Sequence, residues 1–173
     1  MIAKHQPLLP VRGYNRPVEI TFRDYRPDDL NRLWELDQQC FPPGIAYSRV
    51  ELMHYIRRHG AFTVIAESSD DLAGFMVGES LRRRGHVITI DVAKPFRRQG
   101  LGSRLMDEAE ARFRQAGCEV ALLETAVNNM GAIAFYKRRG YVVLKTIPRY
   151  YAGNLDALLL GRRLMDKAHE AEH

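Results

Sequence analysis

The sequence is poor in the residues that mark disulfide-stapled and metal-binding proteins. Its 173 residues include only two cysteines, Cys40 and Cys118, which stand far apart and are predicted to be reduced thiols rather than a disulfide or a metal site. The six histidines are scattered without the spacing of zinc ligands, which predicts surface or hydrogen-bonded imidazoles and no metal.

Long apolar runs are also missing. No segment approaches the roughly 20 apolar residues of a membrane-spanning helix. The first ten residues contain only the pair Leu8-Leu9 where a signal peptide has a longer apolar stretch. These absences predict a soluble, unexported, cytoplasmic protein with no membrane partner.

The composition is that of an ordinary globular protein with a moderate excess of positive charge. It is 46% hydrophobic and 27% charged, and its 13 glycines and 8 prolines are too few for a low-complexity chain. Basic residues outnumber acidic ones by 26 to 21, for a formal charge of +5. This charge favours an anionic partner but does not distinguish nucleic acid, a ribosome or a phosphorylated cofactor.

The chain is predicted to divide into an extension, one domain and a tail. Residues 1–17 contain several prolines and show no sustained period, so they are expected to wrap on the domain or to stay loose. A single domain is predicted over residues 18–165, because two domains would be cramped in this length. Residues 166–173 form a polar tail.

The first half of the domain combines helix signals with β-rich runs. A helix is predicted from Pro27 to the stop at Phe41-Pro42-Pro43-Gly44, and a capping box of Ser48 and Glu51 opens a second helix. The β-rich runs predict three strands, the last two joined as an antiparallel hairpin: residues 18–24, 61–67 and 72–78.

The second half contains a strand, a helix and a strand within residues 86–123. The strands are residues 86–92 and 120–123, and the helix shows apolar residues at steps of four from Leu101 to Phe113. This length is typical of a right-handed βαβ unit with parallel strands. A short helix through Ile133 and Tyr136 follows, and then two more strands, residues 141–146 and 156–164, with 148–154 as their connector. The predicted fold is α/β: one mixed, mostly antiparallel sheet with a parallel βαβ unit and flanking helices.

The loop inside the βαβ unit carries the strongest chemical signal. Arg97-Arg98-Gln99-Gly100-Leu101-Gly102 lies where the helix begins, and the first N–H groups of a helix have no intrahelical partner and suit a phosphate. The glycines give access to the backbone, and the arginines add charge. It is neither a P-loop nor a Rossmann fingerprint. Two glycines at a turn can also serve backbone conformation alone.

With these neighbours, the chain resembles the GNAT family of N-acetyltransferases over residues 18–164. Its signature, Gln/Arg-x-x-Gly-x-Gly/Ala between a strand and a helix, is matched by Arg97, Gly100 and Gly102. The branch that acetylates protein N-termini, including enzymes acting on bacterial ribosomal proteins, is matched by further residues: Leu123-Glu124, Asn129, Ala132-Ile133-Ala134-Phe135-Tyr136, Gly140-Tyr141, Arg149-Tyr150-Tyr151 and Asp156-Ala157. Thr125-Ala126 departs from the Val-Arg that is usual in the bacterial branch, which puts the acceptor preference in question.

The resemblance implies acetyl-coenzyme A as co-substrate and a primary amine as acceptor, with the N-terminal α-amine of a protein as the leading hypothesis. The peptide groups of Asp91 and Val92 are expected to meet the pantetheine arm as a further strand would. The predicted coenzyme-binding residues are Asp91, Val92, Arg97, Arg98, Gln99, Gly100, Leu101, Gly102, Ser103, Asn129 and Tyr136. Asn129 can also serve simply as a helix cap.

Two side chains are predicted to be catalytic. Glu124, expected at the end of its strand beside the end of the neighbouring parallel strand, is the candidate general base for an amine that is protonated near neutral pH. Tyr136 resembles the family's acid and is the candidate proton donor to the leaving sulfur. Glu124 can instead pair with an arginine, and Tyr136 can instead pack its helix.

The predicted acceptor walls are aromatic. They are Phe41, Pro42, Tyr150 and Tyr151, although Phe41-Pro42 can also be only a helix stop. Small amines or lysine side chains are alternative acceptors. A different class of function, a non-catalytic acyl-coenzyme A module that docks on RNA or ribosomes, follows from the charge, but nucleic acid is not expected as a substrate. Residues 82–84 and 137–139, all basic, are expected to be solvated turns and helix ends.

Overall fold

One seven-stranded sheet organises the computed structural model, which describes residues 19–69 and 71–165. The predicted extension and tail, and Val18, lie outside the described residues. The strands are β1 Thr21–Asp24, β2 Ala61–Ser68, β3 Asp71–Leu81, β4 Arg84–Val92, β5 Val120–Ala126, β6 Val142–Tyr151 and β7 Leu155–Arg163. The helices are α1 Leu30–Cys40, α2 Arg49–Ile56, α3 Leu101–Gln115 and α4 Met130–Arg138.

The sheet order is β1-β2-β3-β4-β5-β7-β6. The β4–β5 pair is parallel, and the other neighbouring pairs are antiparallel. The parallel pair is connected through α3, so the predicted βαβ unit is present. The predicted mixed, mostly antiparallel α/β fold is confirmed.

Each face of the sheet is covered by its own hydrophobic core. On one face, α3 contributes Leu105, Met106 and Phe113 to a buried cluster that also contains Tyr136 and Tyr141. On the other face, α1 and α2 bury Leu33 and Leu52 against Ile65 and Phe75 of the central strands. The central strands of the sheet are therefore covered on both faces.

Local sequence signals place the helix ends. Ser48 caps α2, its hydroxyl accepting from Glu51 N at 3.2 Å while Ser48 N donates to the Glu51 carboxylate at 2.8 Å, as the capping box predicts. Phe41 is the C-cap of α1, as its stop signal predicts. Gly100, at φ +80°, is the N-cap of α3.

A close approach fixes the C-terminal end of α3 on the sheet. The Phe113 ring lies directly over Gly85 of β4, where an added Cβ would stand 2.4 Å from the nearest ring atom. Phe62 of β2 packs edge-on against Phe113 with ring centroids 5.3 Å apart. The absence of a side chain at Gly85 therefore sets how closely helix and sheet can pack.

A buried carboxylate, Glu110 of α3, joins the helix to β7 and to the segment between α4 and β6. Its side chain accepts from Arg162 Nη1 at 2.9 Å and from Tyr141 Oη at 3.2 Å, and Arg139 Nη2 lies 3.4 Å away. The Arg139 side chain is only 14% exposed. The interpretation of residues 137–139 as a solvated helix end is therefore wrong for Arg139, because this network holds its guanidinium.

All seven strands differ by one or more residues from their predicted bounds. The first begins at Thr21 within the described residues, and β5 continues to Ala126 because all seven of its residues pair with β7. The connector expected over residues 148–154 is also wrong, because β6 extends to Tyr151. Pro148 is tolerated there since β6 is an edge strand, and its register shifts between Ile147 and Tyr151.

Candidate active site

A cleft opens where β4 and β5 separate. The two strands pair over only four residues, with Arg84 opposite Val120 and Val87 opposite Leu123, and both then continue without pairing to each other. The resulting cavity of about 740 Å³ is lined by later residues of both strands. Glu124 is therefore inside β5 and just beyond its last pair with β4. The expectation that it ends its strand beside the end of β4 is wrong, because the strands separate before those ends.

The N-terminus of α3 borders this cleft with free donors. Gly100 provides no side-chain cap, the first turn contains no acidic residue, and the first bond of the helix runs from Arg104 N to Gly100 O at 3.1 Å. The N–H groups of Leu101, Gly102 and Ser103 therefore have no acceptor within the helix. They form a positive end that suits an anion such as a pyrophosphate.

The two glycines of the loop, Gly100 and Gly102, serve different purposes. Gly100 has a left-handed backbone, which glycine adopts at little cost. At Gly102 an added Cβ would find its nearest neighbour, Phe135, at 3.7 Å, an ordinary contact. Packing within the chain therefore does not require glycine at position 102, and the open space suits a bound group close to the backbone. The free N–H groups and the uncovered backbone of this loop therefore suit the phosphates of coenzyme A.

The arginines around the loop act in different ways. Arg97 donates from Nε to Val92 O at 2.8 Å and from Nη2 to Cys40 Sγ at 3.4 Å, which ties the loop to the end of β4. Arg104 donates to Ile20 O at 3.2 Å. Arg98 makes no side-chain hydrogen bond to any residue that the structure describes, so its guanidinium remains available. Gln99 donates to Pro95 O at 2.8 Å.

Asp91 and Val92 present different groups to the cleft. The Asp91 side chain is buried and accepts from Thr89 Oγ1 at 2.8 Å, and it does not line the cavity. Val92 lines the cavity, but its carbonyl oxygen accepts from Arg97. The binding of a pantetheine arm by these two peptide groups stays a prediction.

Glu124 is paired with a histidine that the sequence analysis missed. The His86 Nε2 atom lies 2.6 Å from Glu124 Oε2, and both side chains are largely covered. His86 is opposite Leu122 in the parallel register, so Glu124, two residues further along, presents its side chain on the same face. Among the residues that the structure describes, no arginine pairs with Glu124, so the alternative of an arginine partner is not found there. Nothing local in the sequence links positions 86 and 124, because the strand register alone brings them together.

Tyr136 combines packing with access to the cleft. Its ring contacts Phe135 and Tyr141, with centroids 5.1 and 5.9 Å away, and it is among the lining residues. Burial, and next the negative charge of Asp91, raise the pKa of Tyr136. Its phenol therefore keeps its proton at neutral pH and can donate it.

The predicted acceptor walls lie on two segments that touch, the loop after α1 and the end of β6 with the turn after it. Phe41, Pro42 and Tyr151 line the cleft, and Ala152 N donates to Gly44 O at 3.4 Å between these segments. Tyr150 is not a lining residue and is 47% exposed. Partial burial, and next the charge of Glu124, raise the pKa of Tyr150 to about 12. Ile45 and Tyr47 also line this side, and the sequence analysis missed both.

Asn129 has the predicted capping geometry. Its side-chain oxygen accepts from Ala132 N at 3.1 Å at the start of α4, and the residue also lines the cleft. The capping role is therefore present, and contact with a coenzyme stays a prediction.

Cys40 lines the cleft as a protonated thiol. Burial, and next the charge of Asp91, raise its pKa to about 11, and its sulfur donates to Val92 O at 3.6 Å. A thiol with this pKa is a weak nucleophile at neutral pH. Both cysteines are free, as predicted.

The described residues contain no group of three or more His, Cys, Asp or Glu residues placed to hold a metal ion. In the same part of the chain, no helix has the length and apolar character needed to cross a membrane.

Comparison with known proteins gives consistent matches. The model of the Acetyltransferase (GNAT) family matches residues 30–141. An N-alpha-acetyltransferase of Saccharolobus solfataricus is 25% identical over 159 residues, covering 84% of this chain and 94% of the relative. Ard1 from Thermoplasma volcanium matches with a TM-score of 0.78 at 25% identity, covering 85% of this chain and 99% of that one. The ribosomal-protein-S18-alanine N-acetyltransferase of Escherichia coli matches in fold, with a TM-score of 0.80 at 18% identity over 90% of this chain and 100% of that one.

Proposed function

The chain belongs to the acetyltransferase (GNAT) family, and on that premise we propose that this acetyl-coenzyme-A-dependent N-acetyltransferase modifies the N-terminal α-amine of a protein. The observation that carries the proposal is the position of Glu124, a paired carboxylate in the cleft between the phosphate loop, residues 97–102, and the aromatic acceptor walls. The relative from Saccharolobus solfataricus, named as an N-alpha-acetyltransferase and matched over nearly its whole length, supports the same acceptor.

The phosphate loop is proposed to hold the co-substrate. The free N–H groups of Leu101, Gly102 and Ser103 donate hydrogen bonds to the pyrophosphate, Arg98 adds a positive charge, and the coenzyme supplies an acetyl thioester to the cleft. The separated strands β4 and β5 then leave room for the pantetheine arm between them.

Glu124 is proposed as the base, with His86 as its partner. An α-ammonium must lose a proton before its nitrogen can attack the thioester carbonyl, and Glu124 accepts that proton directly or through one water. His86, 2.6 Å away, holds the carboxylate in place and offers a second site for the proton. The pair thus performs the first proton transfer of the reaction.

Tyr136 is proposed as the acid. When the carbon–sulfur bond breaks, the departing thiolate needs a proton, and the buried phenol of Tyr136 is protonated at neutral pH. After the attack the nitrogen still carries one proton too many, and as the amide forms this proton, passed through solvent, replaces the one that Tyr136 has given to the sulfur. The proton held by Glu124 and His86 leaves to solvent as the one net proton released. The reaction leaves an acetamide and a free thiol, and both side chains return to their starting states.

A peptide panel tests the acceptor. Purified protein is incubated with acetyl-coenzyme A and four acceptors: a peptide with a free N-terminus and no lysine, the same peptide with a blocked N-terminus, a blocked peptide with one lysine, and a polyamine. Thiol release and mass spectrometry are the measurements. We expect one acetyl group on the free N-terminus and none on its blocked copy. Activity confined to the blocked lysine peptide or to the polyamine would overturn the proposal.

A further inference from the structure

A second hollow lies at the end of the sheet opposite the phosphate loop. It has a volume of about 430 Å³ and lies between the β3–β4 turn, the start of β2 and the end of α3. Three arginines line it, Arg82, Arg83 and Arg112, together with the apolar side chains of Phe62 and Leu81, and none of its lining residues is acidic. The length of β4 puts it roughly 26 Å from the phosphate loop.

The turn that presents two of these arginines has an unfavourable backbone. Leu81 pairs with Arg84, so Arg82 and Arg83 form a two-residue hairpin loop, and their φ angles are +47° and +65°. Such a turn strongly prefers asparagine, aspartate or glycine, because a Cβ is disfavoured at positive φ. Arginine at both positions costs stability that Asn-Gly would not, and strain of this kind is a feature of binding sites.

The ion pairs around the hollow leave its arginines available to another anion. Arg83 pairs with Glu119 and Arg112 pairs with Asp24, but the two acidic side chains are 53% and 76% exposed. Exposed pairs of this kind are worth little and are exchanged readily for another anion. Arg82 forms no ion pair with any acidic residue that the structure describes.

We propose that this basic hollow binds single-stranded RNA, with Arg82, Arg83 and Arg112 on the phosphates and one base against the side chain of Leu81. The Phe62 ring beneath is already covered by the Arg112 guanidinium, 5.4 Å from the ring centroid. Arginine forks match phosphate oxygens, and sequence-tolerant binding of single strands combines a cationic groove with a surface on which a base can lie. A polyglutamate chain would use the cations but would offer no flat apolar face to Leu81. The Leu81 side chain is 52% exposed and is therefore accessible to a base. The site is independent of the acceptor amine.

Binding is measured by fluorescence anisotropy with a labelled 12-nucleotide single-stranded RNA of mixed sequence, between 50 and 200 mM salt. Three phosphate contacts predict a slope of about −2 for the logarithm of affinity against the logarithm of salt, a loss of about 20-fold over this range. A mononucleotide is expected to bind far more weakly than the RNA. Equal binding of a mononucleotide or of polyglutamate, or no RNA binding at 50 mM salt, would overturn the proposal.

The double variant Arg82→Asn, Arg83→Gly provides the sharper test. It replaces both arginines with the residues that the turn prefers, so its unfolding midpoint is expected to rise while its salt slope falls to about −0.7. The control is Lys137→Gln, Arg138→Gln, which removes the same charge from exposed positions at the end of α4. Peptide acetylation is expected to be unchanged in both variants. Equal loss of RNA binding in the two variants would show that only net charge matters and would contradict a site.

Discussion

The cleft concentrates its chemistry in side chains that come from different strands and helices. Glu124 and His86 lie on neighbouring parallel strands, and Tyr136 lies on the helix that follows. The carboxylate and the phenol differ in their surroundings: Glu124 has a hydrogen-bonding partner, whereas Tyr136 packs against Phe135 and its burial raises its pKa. Different environments for two proton carriers are what a reaction with one base and one acid requires.

Replacing Glu124 by glutamine tests the base. The amide keeps the shape of the side chain but cannot accept the proton, so we expect kcat to fall by about 10²- to 10⁴-fold while the affinity for coenzyme A is unchanged. Steady-state kinetics and calorimetric titration with coenzyme A measure the two effects. Glu35→Gln, at an exposed position of α1, is the matched control and should retain full activity. Normal turnover in the Glu124 variant would remove it from the mechanism.

Replacing His86 tests the positioning of that base. His86→Leu removes the 2.6 Å partner of Glu124, and we expect kcat to fall by about 10- to 100-fold with little change in KM, because a misplaced catalytic group costs rate. His86→Gln keeps a donor and should recover part of the loss. An equal loss in both variants, with a lower unfolding midpoint, would instead assign His86 a structural role.

At the scale of elements, the contact between α3 and the sheet depends on Gly85. Gly85→Ala would put a Cβ 2.4 Å from the buried Phe113 ring, and we expect it to lower the free energy of unfolding by about 1–3 kcal/mol. Denaturant titration is the measurement. Gly131→Ala, in α4, would put a Cβ at an ordinary contact distance of 3.9 Å from Asn129 Oδ1 and should instead be neutral or stabilising.

A second substitution separates crowding from other effects of Gly85→Ala. Phe113→Leu shortens the ring that occupies the space above Gly85. The double variant should therefore lose less unfolding free energy than the sum of the losses in the two single variants, because both substitutions change the same contact. Strict additivity would show that the methyl group acts through the backbone instead.

The elements that sequence patterns predicted well are those with local signals. The capping box at Ser48, the helix stop at Phe41 and the loop before α3 each depend on a few neighbouring residues. The extent of β5 and the partner of Glu124 could not be predicted this way. Both depend on pairing with distant strands, β7 for the length of β5 and β4 for the position of His86. Residue types therefore indicated the reaction, while strand register decided which side chains meet.

At the scale of the whole molecule, two buried carboxyl groups between α1 and the sheet link stability to pH. Asp37 of α1 and Asp91 of β4 are buried, and among the described residues Asp37 Oδ1 and Asp91 Oδ1 have no hydrogen-bond partner. Burial raises the pKa of Asp37 from 3.8 to about 6, against the opposing bond from Tyr47 N. Burial, and next the charge of Asp37, raise the pKa of Asp91 well above 3.8. Both groups therefore favour a proton in the folded state.

Because the pKa of Asp37 is higher in the folded state than in the unfolded chain, the protein loses stability as pH rises through that folded-state pKa. Between pH 4 and pH 6 the unfolded chain has released the Asp37 proton while the folded chain retains it, so ionising Asp37 costs about 3 kcal/mol of unfolding free energy above pH 6. Asp37→Asn removes that titration and keeps an oxygen to accept from Tyr47 N. The variant should thus gain stability over the parent between pH 4.5 and pH 7.5 in urea titrations. Glu35→Gln, on the same helix but exposed, should differ little from the parent at either pH. A constant difference between Asp37→Asn and the parent across this range would contradict the raised pKa of Asp37.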